Sequence, residues 1–177
     1  MGEEKAGDKG VALPGVQVIV RAKVSSIIEE ISPKKRFVRQ FAVMLTNRVG
    51  AFSSLATLLS QHHIDVIGVS VQDARDATIA RLVLSDPDAA EILFLEKGIA
   101  YTVSNLVVVR LKEAGKDLTK VLATLLEGET NLDFAYSLMV QHRGQALMAF
   151  HLEDAHFGAQ ILNQAGMTVI YENELLR

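Results

Sequence analysis

From Phe37 onward the apolar positions switch between a period of two and a period near 3.6. In Phe37–Leu45, Phe41, Val43 and Leu45 fall on one side, and Val38, Ala42 and Met44 fall on the other. This is a strand with apolar residues on both faces. Thr46-Asn47-Arg48-Val49-Gly50 reads as a loop. In Ala51–His62, Phe52, Leu55, Ala56 and Leu59 form one helical stripe, with Ser53, Ser54, Thr57 and Gln61 largely outside it. Ile64–Gln72 and Ala77–Ser85 read as strands joined by the turn Asp73-Ala74-Arg75-Asp76, which predicts a hairpin. Asp86-Pro87 opens a helix, because Asp caps free N–H groups and Pro suits the first helical position. Gly98 closes it, and Ala100–Val103 is a short strand. The order is β-α-β-β-α-β.

The same order follows again. Leu106–Leu111 is a strand, and Leu118, Val121, Leu122 and Leu125 mark a helix. Leu132, Phe134, Tyr136, Leu138 and Val140 alternate along a strand, and His142-Arg143-Gly144 is a hairpin turn. Ala146, Met148, Phe150 and Leu152 line the next strand, Asp154–Ala165 is a helix, Gly166 ends it, and Met167–Tyr171 is the last strand. Ala56-Thr57-Leu58-Leu59 recurs as Ala123-Thr124-Leu125-Leu126, and Gly98-Ile99-Ala100 is echoed by Gly166-Met167-Thr168 at nearly the same spacing, so the chain is read as a duplication. The fold class expected is α+β: two ferredoxin-like βαββαβ modules in tandem, each an antiparallel sheet with helices on one face. The uncovered face, with Val38, Ala42 and Met44, calls for another layer or a partner. The expected division is an N-terminal tail over 1–36, one module over 37–104 and a second over 105–177. Within the tail, Val16–Val24 alternates like a strand, Ile27, Ile28 and Ile31 suggest a helical turn, and Lys34-Lys35-Arg36 reads as a solvated basic linker.

Composition narrows the function. The chain has 177 residues, a net charge of -3 and 49% hydrophobic residues, which suits a globular protein and not a disordered one. Its mild acidity argues against nucleic acid as a partner. With no Cys, disulfides, thiolate metal sites and thiol catalysis are excluded. The acidic start Met1-Gly2-Glu3-Glu4-Lys5 is unlike a signal peptide, and no apolar run reaches the ~20 residues of a membrane span. A cytoplasmic protein with no membrane partner is expected. Serine-triad order, phosphate loop and dinucleotide glycine pattern are all missing. His62, His63, His142, His151 and His156 show no ligand spacing with a carboxylate, so surface or capping roles are expected and no metal or cofactor.

Leu45-Thr46-Asn47-Arg48-Val49-Gly50-Ala51-Phe52 resembles the strand, Asn-Arg-x-Gly loop and helix start of the ACT domain family. Asn131-Leu132-Asp133 is similar to the Ile-Asn-Ile segment that opens the family's second strand, and Ile64-Asp65-Val66-Ile67 holds the same place in the first repeat. The whole arrangement resembles small double-ACT proteins, some of them relatives of acetolactate synthase regulatory subunits. The second repeat departs from the pattern where the family has its loop glycine: Lys116 stands there, with Gly115 one place earlier.

The resemblance implies binding of an amino acid or similar effector between modules, no catalysis, and a dimer. The ligand residues it implies are Asn47, Arg48, Val49, Gly50, Ala51 and Phe52 with Asn131, Leu132 and Asp133. A weaker second site pairs Gly115, Lys116 and Asp117 with Asp65, Val66 and Ile67. The chemistry agrees: Gly50 lets backbone approach a ligand closely, the free N–H groups of the following helix favour a carboxylate, and Arg48 pairs with anions. Gly50 as a plain turn glycine and Arg48 as a solvated side chain are the plainer readings. Two other functions stay open: an interaction subunit that docks on a separate metabolic enzyme, such as one of branched-chain amino acid biosynthesis, and a metal or nucleotide sensor of the same topology.

Overall fold

The computed structural model describes residues 35–46, 48–74 and 77–175. The proposed strand and helical turn within 1–36 lie outside the described residues, as does Asn47. Seven strands and four helices are described: β1 Val38–Thr46, α1 Ala51–Gln61, β2 Val66–Ala74, β3 Ala77–Leu84, α2 Pro87–Glu96, β4 Tyr101–Leu111, α3 Ala114–Glu127, β5 Leu132–His142, β6 Gln145–Leu152, α4 Ala155–Gln164 and β7 Thr168–Ile170, followed by a short 3-10 turn at Glu172–Glu174.

The caps fall where the residue types place them. The Asp86 carboxylate accepts from the Ala89 amide at 2.9 Å, and the Asp154 carboxylate accepts from the Phe157 amide at 2.9 Å. Gly98 and Gly166 take positive φ, 63° and 79°, past the ends of α2 and α4. Arg143 (φ 53°) and Gly144 (φ 72°) form the two-residue turn between β5 and β6, the primed type that matches strand twist.

One difference from the sequence reading governs the architecture. The two strands expected at 100–103 and 106–111 are a single strand, β4. Its first part, Tyr101–Leu106, pairs antiparallel with β1, and its second, Val107–Leu111, pairs antiparallel with β6. β7 lies on its other edge over Val108–Arg110. Polar Ser104 and Asn105 read locally as a break. The strand continues through them because both have partners on β1: Asn105 is opposite Arg39, and Ser104 opposite Gln40 accepts from the Gln40 amide at 3.0 Å.

The sheet is antiparallel throughout, in the order β1-β3-β2-β5-β6-β4-β7, and the β1–β4 pairing closes it. The closing seam between β2 and β5 holds only the pair Gly68 and Leu138. A Cβ on Gly68 would lie 2.5 Å from the Leu138 Cδ2 and 3.3 Å from the Val83 Cβ, so glycine allows the approach. Three cores result. Phe41, Leu55, Leu59, Leu82 and Phe94 pack beneath α1 and α2, and Val107, Val109, Val121, Phe150 and Leu162 pack beneath α3 and α4. The third contains no helix residue: Val38, Ile67, Val83, Leu106, Leu138, Leu147 and Ala149 come from strands of both halves. The apolar face that called for another layer is therefore covered at Val38 within the same chain, while Met44 stays 64% exposed. Gln40, 2% exposed, sits on this side of β1. Its side-chain oxygen accepts from the Tyr136 hydroxyl at 2.8 Å, which removes the cost of burying it. Burial pushes the Tyr136 phenol up, so it stays a neutral donor.

Candidate functional site

The loop between β1 and α1 is the strongest candidate. The Arg48 amide donates to the Thr46 carbonyl at 2.7 Å and the Ala51 amide to the Arg48 carbonyl at 3.2 Å, which folds the chain tightly onto the start of α1. Gly50 caps this helix at φ 84° and ψ -3°. Added bulk would meet nothing within 4 Å there, so the left-handed dihedral, and not space, calls for glycine. Having no side chain, Gly50 caps no amide. The first turn of α1 carries no acidic residue, and among the described residues the Phe52 and Ser53 amides have no backbone partner. These are the donors a helix leaves free at its start, at the positive end of its dipole.

Two cavities open beside this turn. One of 220 Å³ is lined by Arg48, Gly50, Ala51, Phe52, Ser53 and Thr78. The other, of 570 Å³, is lined by Met44, Arg48, Leu58, Gly98 and Ile99, among others; small-ligand pockets run at about 300–1,000 Å³. Among the described residues no carboxylate lines either cavity. Arg48 is exposed and has no ion-pair partner among the described residues. Apolar walls, free amides and one unpaired cation suit a small molecule that carries a carboxylate.

The other residues proposed from sequence are placed differently. Val49 is fully exposed at the loop tip and lines neither cavity. The Asn131 side chain donates to Glu153 at 2.7 Å, the Glu153 amide donates to the Asn131 carbonyl at 3.2 Å, and the Asp133 carboxylate meets the His151 Nδ1 at 2.8 Å. Leu132 begins β5 at the surface. Neither cavity beside α1 is lined by these three residues. Met44, Thr78 and Ile99 line the cavities but carry no local signal; strand pairing and chain return alone bring them to the loop.

In the weaker set, Val66 packs in the core under α1 and α2, and Ile67 is buried in the core between the halves. The Asp65 amide donates to the Ser85 hydroxyl at 2.8 Å. Gly115, Lys116 and Asp117 lie in the first turn of α3. Lys116 pairs with Glu113 at 2.6 Å at the surface. The Asp117 carboxylate accepts from the Lys112 amide at 2.7 Å and the Glu113 amide at 2.9 Å. These bonds, the Glu113 one foremost, hold its carboxyl below the usual carboxylate value.

No helix among the described residues is long and apolar enough to cross a membrane. An antiparallel sheet with outer helices defines an α+β domain. The chain belongs to the ACT family: the model described as an ACT domain pair matches residues 36–177. Among solved structures it is similar to protein BT0572 from Bacteroides thetaiotaomicron, at 18% identity and TM-score 0.72, over 80% of this chain and 96% of that one. It is also similar to the ligand-free regulatory subunit of aspartate kinase from Thermus thermophilus, at 10% identity and TM-score 0.49, over 75% and 94%. The first of these likenesses speaks to the fold alone, and the second is too loose to carry argument. No curated protein matches the sequence.

Proposed function

We propose that this chain is a regulatory protein that binds a small carboxylate ligand of the amino-acid class and performs no catalysis itself. The observation that carries the reading is the start of α1. Among the described residues, the left-handed Gly50, the Phe52 and Ser53 amides without a backbone partner and an Arg48 without an ion pair open on cavities of 220 and 570 Å³ whose walls hold no carboxylate. The ligand carboxylate sits at the helix start and its side chain in the apolar part of the larger cavity. Asn131, Leu132 and Asp133 belong to this site only as a contribution from a second copy, consistent with a homodimer. The reading also treats the chain as two ferredoxin-like modules, 37–104 and 105–177. Its support is the repeated strand pattern: β1 lies between β3 and the first part of β4, and the second part of β4 lies between β6 and β7.

A thermal-shift panel of the twenty amino acids tests the proposal. A ligand at a hundred times its Kd stabilises by about 2.7 kcal/mol, and a rise in Tm with one or a few of them is expected. No rise with any of the twenty refutes it. A second reading, docking on a separate metabolic enzyme, draws support from the exposed Leu122 and Leu126 on the outer face of α3. A pull-down that returns no enzyme counts against it.

A further inference from the structure

β4 passes from one pair of helices to the other, and at its middle the helix layer parts. Asn105 is exposed there, and Val103 is 41% exposed. A cavity of 280 Å³ occupies the gap. Its floor is the β1–β4 pair Arg39 and Asn105, and Lys35, Arg36, Phe37 and His156 complete its lining. Among the described residues no carboxylate lines it, although the chain as a whole has a net charge of -3.

The basic side of this cavity is held in place. The Arg36 carbonyl accepts from the Glu172 amide at 2.9 Å. The Lys35 ammonium lies 5.2 Å from the centre of the Tyr171 ring. The Phe37 ring packs against Tyr171 at 5.8 Å and edge-on to His156 at 4.9 Å. Arg39 contributes position and little net charge. Its guanidinium donates two bonds of 2.9 Å to Glu172 and pairs with Asp88 at 2.8 Å. Lys35 and Arg36 have no such partner among the described residues. Two cations without an ion-pair partner among the described residues, an imidazole and the Asn105 amide thus converge on one cavity from the segment before β1, from α4 and from β4. An Arg fork and a Lys ammonium together are a common means of holding phosphate oxygens.

We propose that this groove is a second binding site, distinct from the α1 loop, and that it takes a phosphate-bearing small molecule. It spans the point where β4 changes neighbours, so its occupant touches both halves of the chain at once.

The test is calorimetric titration of the full chain with pyrophosphate in chloride buffer of fixed ionic strength, without any amino acid present, so that its outcome is separate from that of the α1 reading. Binding with Kd on the order of 1 mM or tighter is expected. K35Q/R36Q should weaken it at least about tenfold. N105D, which places a carboxylate in the floor and leaves both cations, should weaken it comparably. K97Q/K120Q removes the same charge elsewhere on the surface and should leave it unchanged. Three results each overturn the proposal: no binding by the native chain, native affinity in both K35Q/R36Q and N105D, or an equal loss in K97Q/K120Q.

Discussion

The helices that follow the first strand of each half, α1 and α3, begin in opposite ways. At α1 the cap is a bare glycine, the first turn has no acid, and Arg48 beside it has no ion-pair partner among the described residues. At α3 the fourth residue, Asp117, turns its carboxylate back onto the Lys112 and Glu113 amides. The second half sets its own anion against the Lys112 and Glu113 amides at its helix start, and among the described residues the first half sets no carboxylate at the corresponding place. This is why the two loops are unequal candidates, and the inequality comes from one side chain more than from the displaced glycine. The fourth residue of α1 is Ser54, whose hydroxyl only donates to the Gly50 carbonyl at 3.0 Å.

The largest effect bears on whether the halves are separable at all. Phe94→Ala hollows the core under α1 and α2, and Phe150→Ala the core under α3 and α4. Each should cost about 3–5 kcal/mol. Because β4 and the inter-half core belong to both, either variant should unfold in a single transition when followed by circular dichroism and by fluorescence of the tyrosines in both halves. Two separated transitions would break the view of one cooperative unit.

Next is the exchange of helix starts. Ser54→Asp gives α1 the carboxylate that α3 already owns, so the whole ligand-dependent rise, about 2.7 kcal/mol at a hundred times Kd, should vanish from the thermal-shift panel. Retention of the full rise would place the ligand elsewhere. Arg48→Gln should weaken the same ligand about tenfold, near 1.4 kcal/mol, measured by calorimetric titration, with the unliganded Tm unchanged. Smallest is Asp117→Asn. The folded protein holds this carboxyl below its ordinary value, so its contribution is present above the unfolded pKa and fades as pH falls through the lowered folded one. Denaturant titrations should show the native chain ahead of the variant at pH 7 and level with it in strong acid. The gap should be small, because the group is exposed.

Much of the secondary structure was readable from local pattern, because caps and turns are written in neighbouring residues. Asp86, Asp154, Gly98 and Gly166 each do what their type dictates at a helix end. The continuity of β4 was not readable, since Ser104 and Asn105 look like a break until Gln40 and Arg39 are set opposite them. Nor was the covering of Val38 and Val83 by Leu138 and Ala149, because alternation says that a face is apolar and not what lies on it. At the candidate site, Gly50 and Arg48 stood out by type and spacing. Asn131 and Asp133 stood out by resemblance alone, and in the fold they have hydrogen-bond partners of their own in Glu153 and His151. Lys35 and Arg36 read as a solvated run because their anchors, Tyr171 and Glu172, come from the far end of the described chain.

The unbroken β4 has a mechanical side. At about 3.3 Å per residue its 11 residues span roughly 36 Å, and an extended strand hardly stretches. A push on β1 that keeps its rungs with β4 intact moves the whole strand and is not absorbed locally. It reappears at the rungs shared with β6 and β7, as with a rod gripped at both ends.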